Sequence, residues 1–256
     1  MRKFIILCIG LIFTFNIIGC GASKSANAAG EDKLKLQLES QHFRFYSFNK
    51  DVKCLNDLNK NLQENYKRIS KDLNVSLKDK VDIEVYPDIQ SFHNAIGAPM
   101  APEWNVGTGW EGKIKMVSPL NPGKYHTYDT LMMVVVHEFT HVMVSQINSN
   151  LKDIPIWLNE GTAAFEAKQM NNNIKQGLKK KIQNNEVPPL FSMNSQNLSD
   201  GGYAFSYTAV EYVVKNYGYN SLIKLIKSPS NLQEILGCSS EEFEKRWMDF
   251  LVKNYN

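Results

Sequence analysis

The chain has 256 residues, of which 43% are hydrophobic and 21% are charged, and its formal net charge is +3. Two of the positive charges, Arg2 and Lys3, lie in an N-terminal segment without acidic residues, so residues 20–256 carry 3 − 2 = +1. This near-neutral balance excludes the basic surface that is typical of nucleic-acid-binding proteins, and we predict no nucleic-acid partner.

The start of the chain has the form of a secretory signal peptide. A basic start precedes an apolar run from Phe4 to Ile18, which is too short to span a membrane comfortably. The run closes with Ile17-Ile18-Gly19-Cys20, which resembles the bacterial lipobox, where the chain is cut before a lipid-bearing cysteine. We predict a signal peptide over 1–19, and a lipidated Cys20 with a flexible tether over 20–32.

Lipidation of Cys20 predicts a protein that is exported and anchored to the outer face of the bacterial cytoplasmic membrane. Two acyl chains would supply the two signals that stable anchoring requires. The alternative is cleavage after the small residues Ala26-Asn27-Ala28, which would release a secreted protein. An uncleaved anchor is disfavoured because the apolar run is short.

Two cysteines remain once Cys8, in the signal peptide, and Cys20 are set aside. Cys54 and Cys238 could form one disulfide in an oxidising compartment. We favour two separate thiols, because nothing in the sequence brings their backbones to the distance that a disulfide needs.

The predicted elements between residues 33 and 123 are mainly strands. Alternating apolar and polar residues predict strands over 33–38, 42–48, 81–86 and 114–117. Amphipathic spacing predicts a long helix over 52–73 and a shorter one over 89–96. The Gly- and Pro-rich stretch 97–112 is expected to be mostly loop, with some extended structure.

The next apolar segment, residues 131–144, contains a metal-binding motif. It is apolar on nearly every face, which predicts a buried central helix, and His137 and His141 share one face of that helix. Two imidazoles at this spacing can bind one metal ion, and Glu138 lies beside them. Zinc with three protein ligands keeps a position for water and lowers its pKa to about 7, so that a carboxylate can take the proton. We predict one Zn²⁺ per chain, with Glu138 as general base; the alternative is a pair of hydrogen-bonded core histidines.

A third ligand is predicted downstream. After His141 come 18 residues and then Glu160, inside a helical pattern that begins at Pro155. An unpaired carboxylate among apolar neighbours would be costly, so Glu160 is either exposed or bound to a positive group. Glu166 could accept the second N–H of a zinc-bound histidine, although a solvated helix position is the simpler interpretation.

The segment HEFTH at 137–141, together with Trp157-Leu158-Asn159-Glu160-Gly161, resembles the gluzincin metallopeptidases. The length and the preceding pattern are most similar to the small peptidase MA-like group of bacterial metallohydrolases. The resemblance implies that the two motif histidines and Glu160 are the zinc ligands and that Glu138 is the base. Zinc aminopeptidases carry an upstream Gly-x-Met-Glu-Asn segment that captures the substrate amine. Residues 107–112 do not match it, so aminopeptidase activity is not implied.

A further helical pattern follows Gly201-Gly202 and runs to Tyr217-Gly218. In the peptidase MA-like group a tyrosine stands at the start of a similar helix, and Tyr203 is the matching position. The resemblance therefore implies that Tyr203 donates a hydrogen bond to the oxyanion of the reaction. Tyr207, one turn later, is the competing candidate, and both could instead be core tyrosines.

Strands before the motif helix and helices after it predict an α+β, zincin-like fold, with a sheet-bearing half at 33–147 and a helical half at 148–256. In zincins a strand of the cleft pairs with an extended substrate, and our candidate is 113–118, with the loop 188–202, containing Phe191 and Met193, as the other wall. We expect hydrolysis of a peptide or protein by metal-activated water. The alternatives are hydrolysis of another peptide cross-link, such as one in a cell wall, and a catalytically silent or structural-zinc lipoprotein acting in binding or envelope assembly.

Overall fold

The computed structural model describes residues 34–48, 52–193 and 198–256. The predicted signal peptide, Cys20 and the tether therefore lie outside the described residues. The described chain forms a mixed sheet in its N-terminal half and is helical in its C-terminal half. This arrangement confirms the predicted α+β class.

Five strands form the sheet. They are β1 (Lys35–Glu39), β2 (Phe43–Ser47), β3 (Val81–Tyr86), β4 (Gly107–Trp110) and β5 (Lys113–Val117). Their spatial order is β1-β2-β3-β5-β4, with β2, β3 and β5 parallel and the two outer strands antiparallel to their neighbours. Alternate residues of β2 and β3 are buried, because one face of the sheet packs against helices.

The strand predicted to hold the substrate is not at the edge of the sheet. Both edges of β5 are occupied, by β3 on one side and by β4 on the other, so the prediction for 113–118 is wrong. The outer strand next to β5 is β4. Its strand pattern is hard to recognise in the sequence because two of its four residues are glycine. Glycine weakens the pattern of a strand and often marks a close approach of two backbones.

Eight helices are assigned to the described residues. They are α1 (Val52–Asp72), α2 (Ile89–Ala95), α3 (Tyr128–Ile147), α4 (Ile156–Glu166), α5 (Asn172–Gln183), α6 (Tyr203–Lys227), α7 (Leu232–Leu236) and α8 (Ser240–Tyr255). Short 3₁₀ turns lie at Leu151–Asp153, Leu190–Ser192 and Pro229–Asn231. The α6 helix is interrupted at Gly218, where φ is 77° and ψ is 168°, close to its predicted end.

Helix α3 is central to the fold. It begins with a capping box, in which the side chains of Thr127 and Thr130 each accept a hydrogen bond from the other residue's backbone N–H. It packs against α1, β4, β5 and α4. Within the part of the chain that the structure describes, α3 alone is long and apolar enough to cross a membrane. Since 61% of that apolar stretch is buried inside the protein, α3 has the character of a core helix.

The segment predicted as the second wall of the cleft packs into the helical half instead. The ring of Phe191 lies 6.0 Å from those of both Trp157 and Phe243. Met193 is buried, and its sulfur accepts a hydrogen bond from Ser206 Oγ at 3.0 Å. Met193 is thus part of the core, whereas Phe191 packs on these rings and stays 40% exposed. Neither residue lines the cleft over His137 and Glu138, so the prediction for these two residues is wrong.

The two cysteines of the described residues are both buried. Cys54 lies on α1, and Cys238 lies between α7 and α8. No disulfide joins them, in agreement with the interpretation that we favoured.

Candidate metal centre

Three side chains converge between α3 and α4. His137 and His141 come from α3 and Glu160 comes from α4, and their possible ligand atoms all lie within 4.8 Å of one another. His137 Nε2 is 3.1 Å from His141 Nε2 and 3.2 Å from Glu160 Oε2, and the third side, from His141 Nε2 to Glu160 Oε2, is 3.5 Å. Ligand atoms around a tetrahedral zinc ion with bonds near 2.05 Å are about 3.3 Å apart. The triangle therefore has the size that zinc requires.

The outer nitrogens of the two rings are held by amides. His137 Nδ1 lies 3.1 Å from Gln169 Oε1, and His141 Nδ1 lies 3.1 Å from Asn159 Oδ1. Because an amide oxygen can only accept, each Nδ1 carries a proton and each Nε2 is the nitrogen that faces the centre. Two such nitrogens and a carboxylate oxygen at this distance need a positive charge between them, which a proton on one ring or a metal ion can supply. The donor set thus fits a divalent metal ion.

The charges of the metal-free centre are strongly coupled. Burial opposes protonation of His141, but the carboxylate of Glu160 outweighs it and raises the pKa of His141 to about 9. Burial would by itself raise the pKa of Glu160, but His141 and His137 hold that pKa well below its usual range. Without metal, a proton on His141 therefore offsets the charge of the carboxylate, and a metal ion must displace that proton.

The close packing of α4 against α6 fixes the position of Glu160. A Cβ atom at Gly161 would overlap the backbone carbonyl of Ser206 on α6, so only glycine allows the two helices to pack at this distance. Helix α4 also packs against α3, which carries the histidines. The glycine of the Trp-Leu-Asn-Glu-Gly segment therefore has a packing role beside the glutamate that precedes it.

Glu138 faces the edge strand β4. A Cβ atom at Gly107 would lie 3.1 Å from Glu138 Oε1, and one at Gly109 would overlap the Glu138 backbone carbonyl, so bare backbone packs against this residue. Burial raises the pKa of Glu138, while the two histidines and the backbone amide of Gly109 act in the opposite sense. A carboxylate held in this way beside the histidines can accept and release a proton.

A cleft of about 270 Å³ opens over His137 and Glu138. Tyr203, the first residue of α6, lines this cleft, and its ring lies edge-on to His137 with the centroids 6.1 Å apart. Burial, together with the charges of Glu160 and Glu138, raises the pKa of Tyr203, so its hydroxyl stays protonated and can donate. Tyr207 instead packs against Phe165, with centroids 5.2 Å apart, and does not line the cleft.

Sequence reasoning missed the two amides that orient the histidines. Asn159 immediately precedes Glu160, so its position beside the ligand was a signal that could have been used. No comparable signal in the sequence marks Gln169. It follows Lys168, whose φ of 53° changes the direction of the chain after the end of α4. His126 also lines the cleft, and its Nε2 lies 2.9 Å from the carbonyl oxygen of Trp104.

Glu166 has a different role from either of those considered. It is completely buried, forms an ion pair with Arg68 on α1, and accepts a hydrogen bond from the Tyr219 hydroxyl at 3.0 Å. It is neither a solvated helix residue nor the acceptor of a histidine N–H, so both interpretations are wrong. Its contacts instead tie the end of α4 to α1 and α6.

Comparison with known families links this centre to a described group of proteins. Residues 61–253 match the family model described as Peptidase MA superfamily. The matched range includes α3, α4 and α6 and therefore every side chain of the centre. No curated protein matches the chain.

Proposed function

The chain belongs to the peptidase MA superfamily, and from this membership and the geometry of its centre we propose that it is a zinc-dependent metallopeptidase of the gluzincin type. The observation that carries the proposal is the triangle of ligand atoms from His137, His141 and Glu160, with sides of 3.1, 3.2 and 3.5 Å. The two amide acceptors support it, because they turn both free imidazole nitrogens toward one point.

The residues around the centre suit hydrolysis of a peptide bond. A bound zinc ion would supply Lewis-acid activation of water and of the substrate carbonyl. Glu138 takes the proton of the attacking water and returns it to the leaving nitrogen. Tyr203 donates a hydrogen bond to the developing oxyanion, for which its protonated hydroxyl is suited.

The free edge of β4 is our candidate for the surface that binds the substrate backbone. Val117 N donates to Val106 O at 2.9 Å. Given the antiparallel register, this bond determines which residues of β4 form hydrogen bonds with β5 and which do not. In that register Gly107 and Gly109 turn their peptide groups away from β5, and because the Gly109 amide points to Glu138, the Gly107 peptide group is the one that faces a substrate. An extended peptide can pair with this edge beside Glu138, and such pairing depends little on side chains.

We further propose that the protein is exported and anchored through a lipid on Cys20, with secretion as the alternative. The support is the sequence of the first 20 residues, with a basic start, an apolar run and a cysteine. A Cys20→Ala variant should move from the membrane fraction to the soluble fraction. Unchanged membrane association of that variant would contradict lipid anchoring.

Glu138→Gln is the test of the catalytic proposal. We expect this variant to bind as much zinc as the wild type and to lose about 10²- to 10⁴-fold of its turnover, because general base catalysis contributes about this much. Zinc is measured by elemental analysis, and turnover by mass spectrometry of a peptide mixture with and without chelator. The exposed Glu64 on α1 provides a matched control, since Glu64→Gln removes the same charge from a residue that neither lines the cleft nor belongs to the ligand set.

Three outcomes would contradict parts of this proposal. Normal hydrolysis by Glu138→Gln would remove Glu138 from the role of base. Absence of zinc from protein purified at neutral pH would refute the metal assignment. Zinc binding without cleavage of any peptide would favour the binding or envelope-assembly alternative.

A further inference from the structure

A second cavity of about 210 Å³ opens beside the metal cleft. It is bounded by α3, by the segment after α4, and by the first turns of α5 and α6. Four residues line both spaces, namely His126, Val134, Gln169 and Tyr203. The cavity therefore adjoins the cleft, and a group held at the metal centre has this space next to it.

The surface of the second cavity is mainly apolar, although the polar residues His126, Thr130, Gln169, Asn171, Tyr203 and Tyr207 also line it. Its apolar residues are Met133, Val134, Ala164, Met170, Ile174 and Ala204. None of its lining residues is Asp, Glu, Lys or Arg. A charged side chain would lose hydration here without gaining an Asp, Glu, Lys or Arg partner of opposite charge, whereas an apolar one gains about 25 cal/mol for each Å² removed from water.

The cavity has room for a large side chain. An apolar cavity of about 150 Å³ accommodates benzene, so about 210 Å³ can hold a phenylalanine ring or a branched aliphatic chain. Alanines on two neighbouring helices, Ala164 on α4 and Ala204 on α6, help to leave this space open. A longer side chain at either position would occupy it.

The two spaces also lack groups that would bind a charged chain end. Among the described residues no Lys or Arg lines either of them, so apart from the metal itself the free carboxylate of a peptide has no cation to pair with. Glu138 is the only carboxylate that the described residues contribute to these linings, and it is the proposed base. The chemistry of the lining thus favours a segment from within a peptide over either terminus.

We propose that this cavity binds a large apolar side chain, of the size of leucine, methionine or phenylalanine, from a residue that flanks the scissile bond inside a peptide. The inference rests on the proposed peptidase function and adds the class of substrate. It concerns a space that is separate from the ligands and can be altered without touching them.

Cleavage of peptides with blocked ends tests the proposal. Acetylated and amidated peptides that differ only in the residues flanking one bond are offered to the full-length, zinc-loaded protein. We expect leucine, methionine or phenylalanine at one flanking position to give kcat/KM at least about 10-fold above alanine, aspartate or lysine. Equal cleavage of all peptides, or cleavage only of peptides with a free end, would overturn the proposal.

Variants of the cavity should change this preference in opposite directions. Ala204→Met should lower kcat/KM for the phenylalanine peptide about 10- to 100-fold and spare the alanine peptide, because it fills the space. Ile174→Ala should instead favour still larger side chains. Ile235→Ala, which truncates a half-buried isoleucine on α7, is the matched control and should leave the preference unchanged. An unaltered preference in both cavity variants would contradict the inference.

A binding measurement separates this proposal from the peptidase proposal. Blocked leucine hydroxamate and glycine hydroxamate both offer a metal-binding group and differ only in the side chain. Calorimetry on the zinc-loaded protein should show at least about 10-fold tighter binding of the leucine compound. Equal binding would overturn the cavity assignment even if peptides are cleaved. Tighter leucine binding without any peptide cleavage would support the cavity and refute the peptidase.

Discussion

Replacement of Arg68 by methionine should destabilise the fold strongly, because it leaves a buried charge without its cation. Arg68 on α1 donates to both the carboxylate and the backbone carbonyl of Glu166 at the end of α4. Tyr219 on α6 donates to the other carboxylate oxygen at 3.0 Å. Glu166 is 0% exposed, and within the described residues Arg68 is the only cation in ion-pair contact with it.

The size of the effect follows from this burial. Removal of one partner of a buried ion pair costs about 3–5 kcal/mol, and the 28% exposure of the Arg68 side chain suggests the lower end, about 3 kcal/mol. For a domain of this size, that loss corresponds to a fall in Tm of roughly 6–12 °C. The substitution keeps the aliphatic bulk, so the loss reports mainly on the charge.

The loss of stability should depend on pH. Burial raises the pKa of Glu166 above its ordinary value, and Arg68 opposes that rise, so the pKa should be higher still in the variant. A carboxyl whose folded-state pKa is raised favours folding when protonated, and this contribution is lost as the pH rises through the folded-state pKa. The variant should therefore lose most stability at pH 8 and less at pH 5, where the unpaired carboxylate can take up a proton.

Thermal unfolding followed by circular dichroism, with chelator present, measures these differences. Glu166→Gln and the double variant complete a cycle, in which we expect a coupling of at least about 2 kcal/mol between the two residues. Arg44→Met is a matched control, because Arg44 and its partner Asp82 are both partly exposed and such a pair contributes little to stability. A change in Tm below about 2 °C at pH 8, or an equal change at pH 5, would refute the reasoning.

Three further predictions concern the metal centre. Gln169→Ala should weaken zinc binding about 10- to 100-fold in competition with a chromophoric chelator, because one imidazole loses its acceptor; unchanged affinity would show that ring packing alone orients it. Gly161→Ala should lower both Tm and zinc affinity by forcing α4 and α6 apart, whereas Gly177→Ala on α5, where the space is open, should be neutral or stabilising. Because the pKa of His141 is raised to about 9, zinc affinity should increase with pH up to about that value. Zinc binding at pH 7 should release about one proton, which calorimetry in buffers of different ionisation enthalpy measures. Binding without proton release would contradict this prediction.

The features that could be predicted from the sequence are those with local causes. Strand β3 was predicted over 81–86, the span that the structure shows, because its alternation is regular over the whole strand. His137 and His141 were expected to share a face because their spacing follows the helical period. Glu160 stood out because a carboxylate in an apolar helix is either exposed or bound to a positive group, and the family resemblance then implied that it is the third ligand.

The features that were missed depend on contacts between distant parts of the chain. The local sequence around Glu166 suggests a solvated helix residue, because its partner Arg68 lies 98 residues away in the chain. Strand β4 has a weak local pattern, and only its packing against α3 explains why Gly107 and Gly109 stand there. Gln169 reaches the centre through a turn of the backbone that no periodicity encodes.

The whole metal centre is built from one short stretch of the chain. All three ligands and both amide acceptors lie between His137 and Gln169, on α3, α4 and the turn that follows. Contacts between such near neighbours cost little loop-closure entropy, so we expect them to form without the metal. Removal of the metal should therefore speed amide hydrogen exchange first in α3 and α4 and leave the exchange of β2 and β3 unchanged. The chain can then complete its fold before it meets the metal, and the metal acts as a late, reversible clamp on two helices that already pack together.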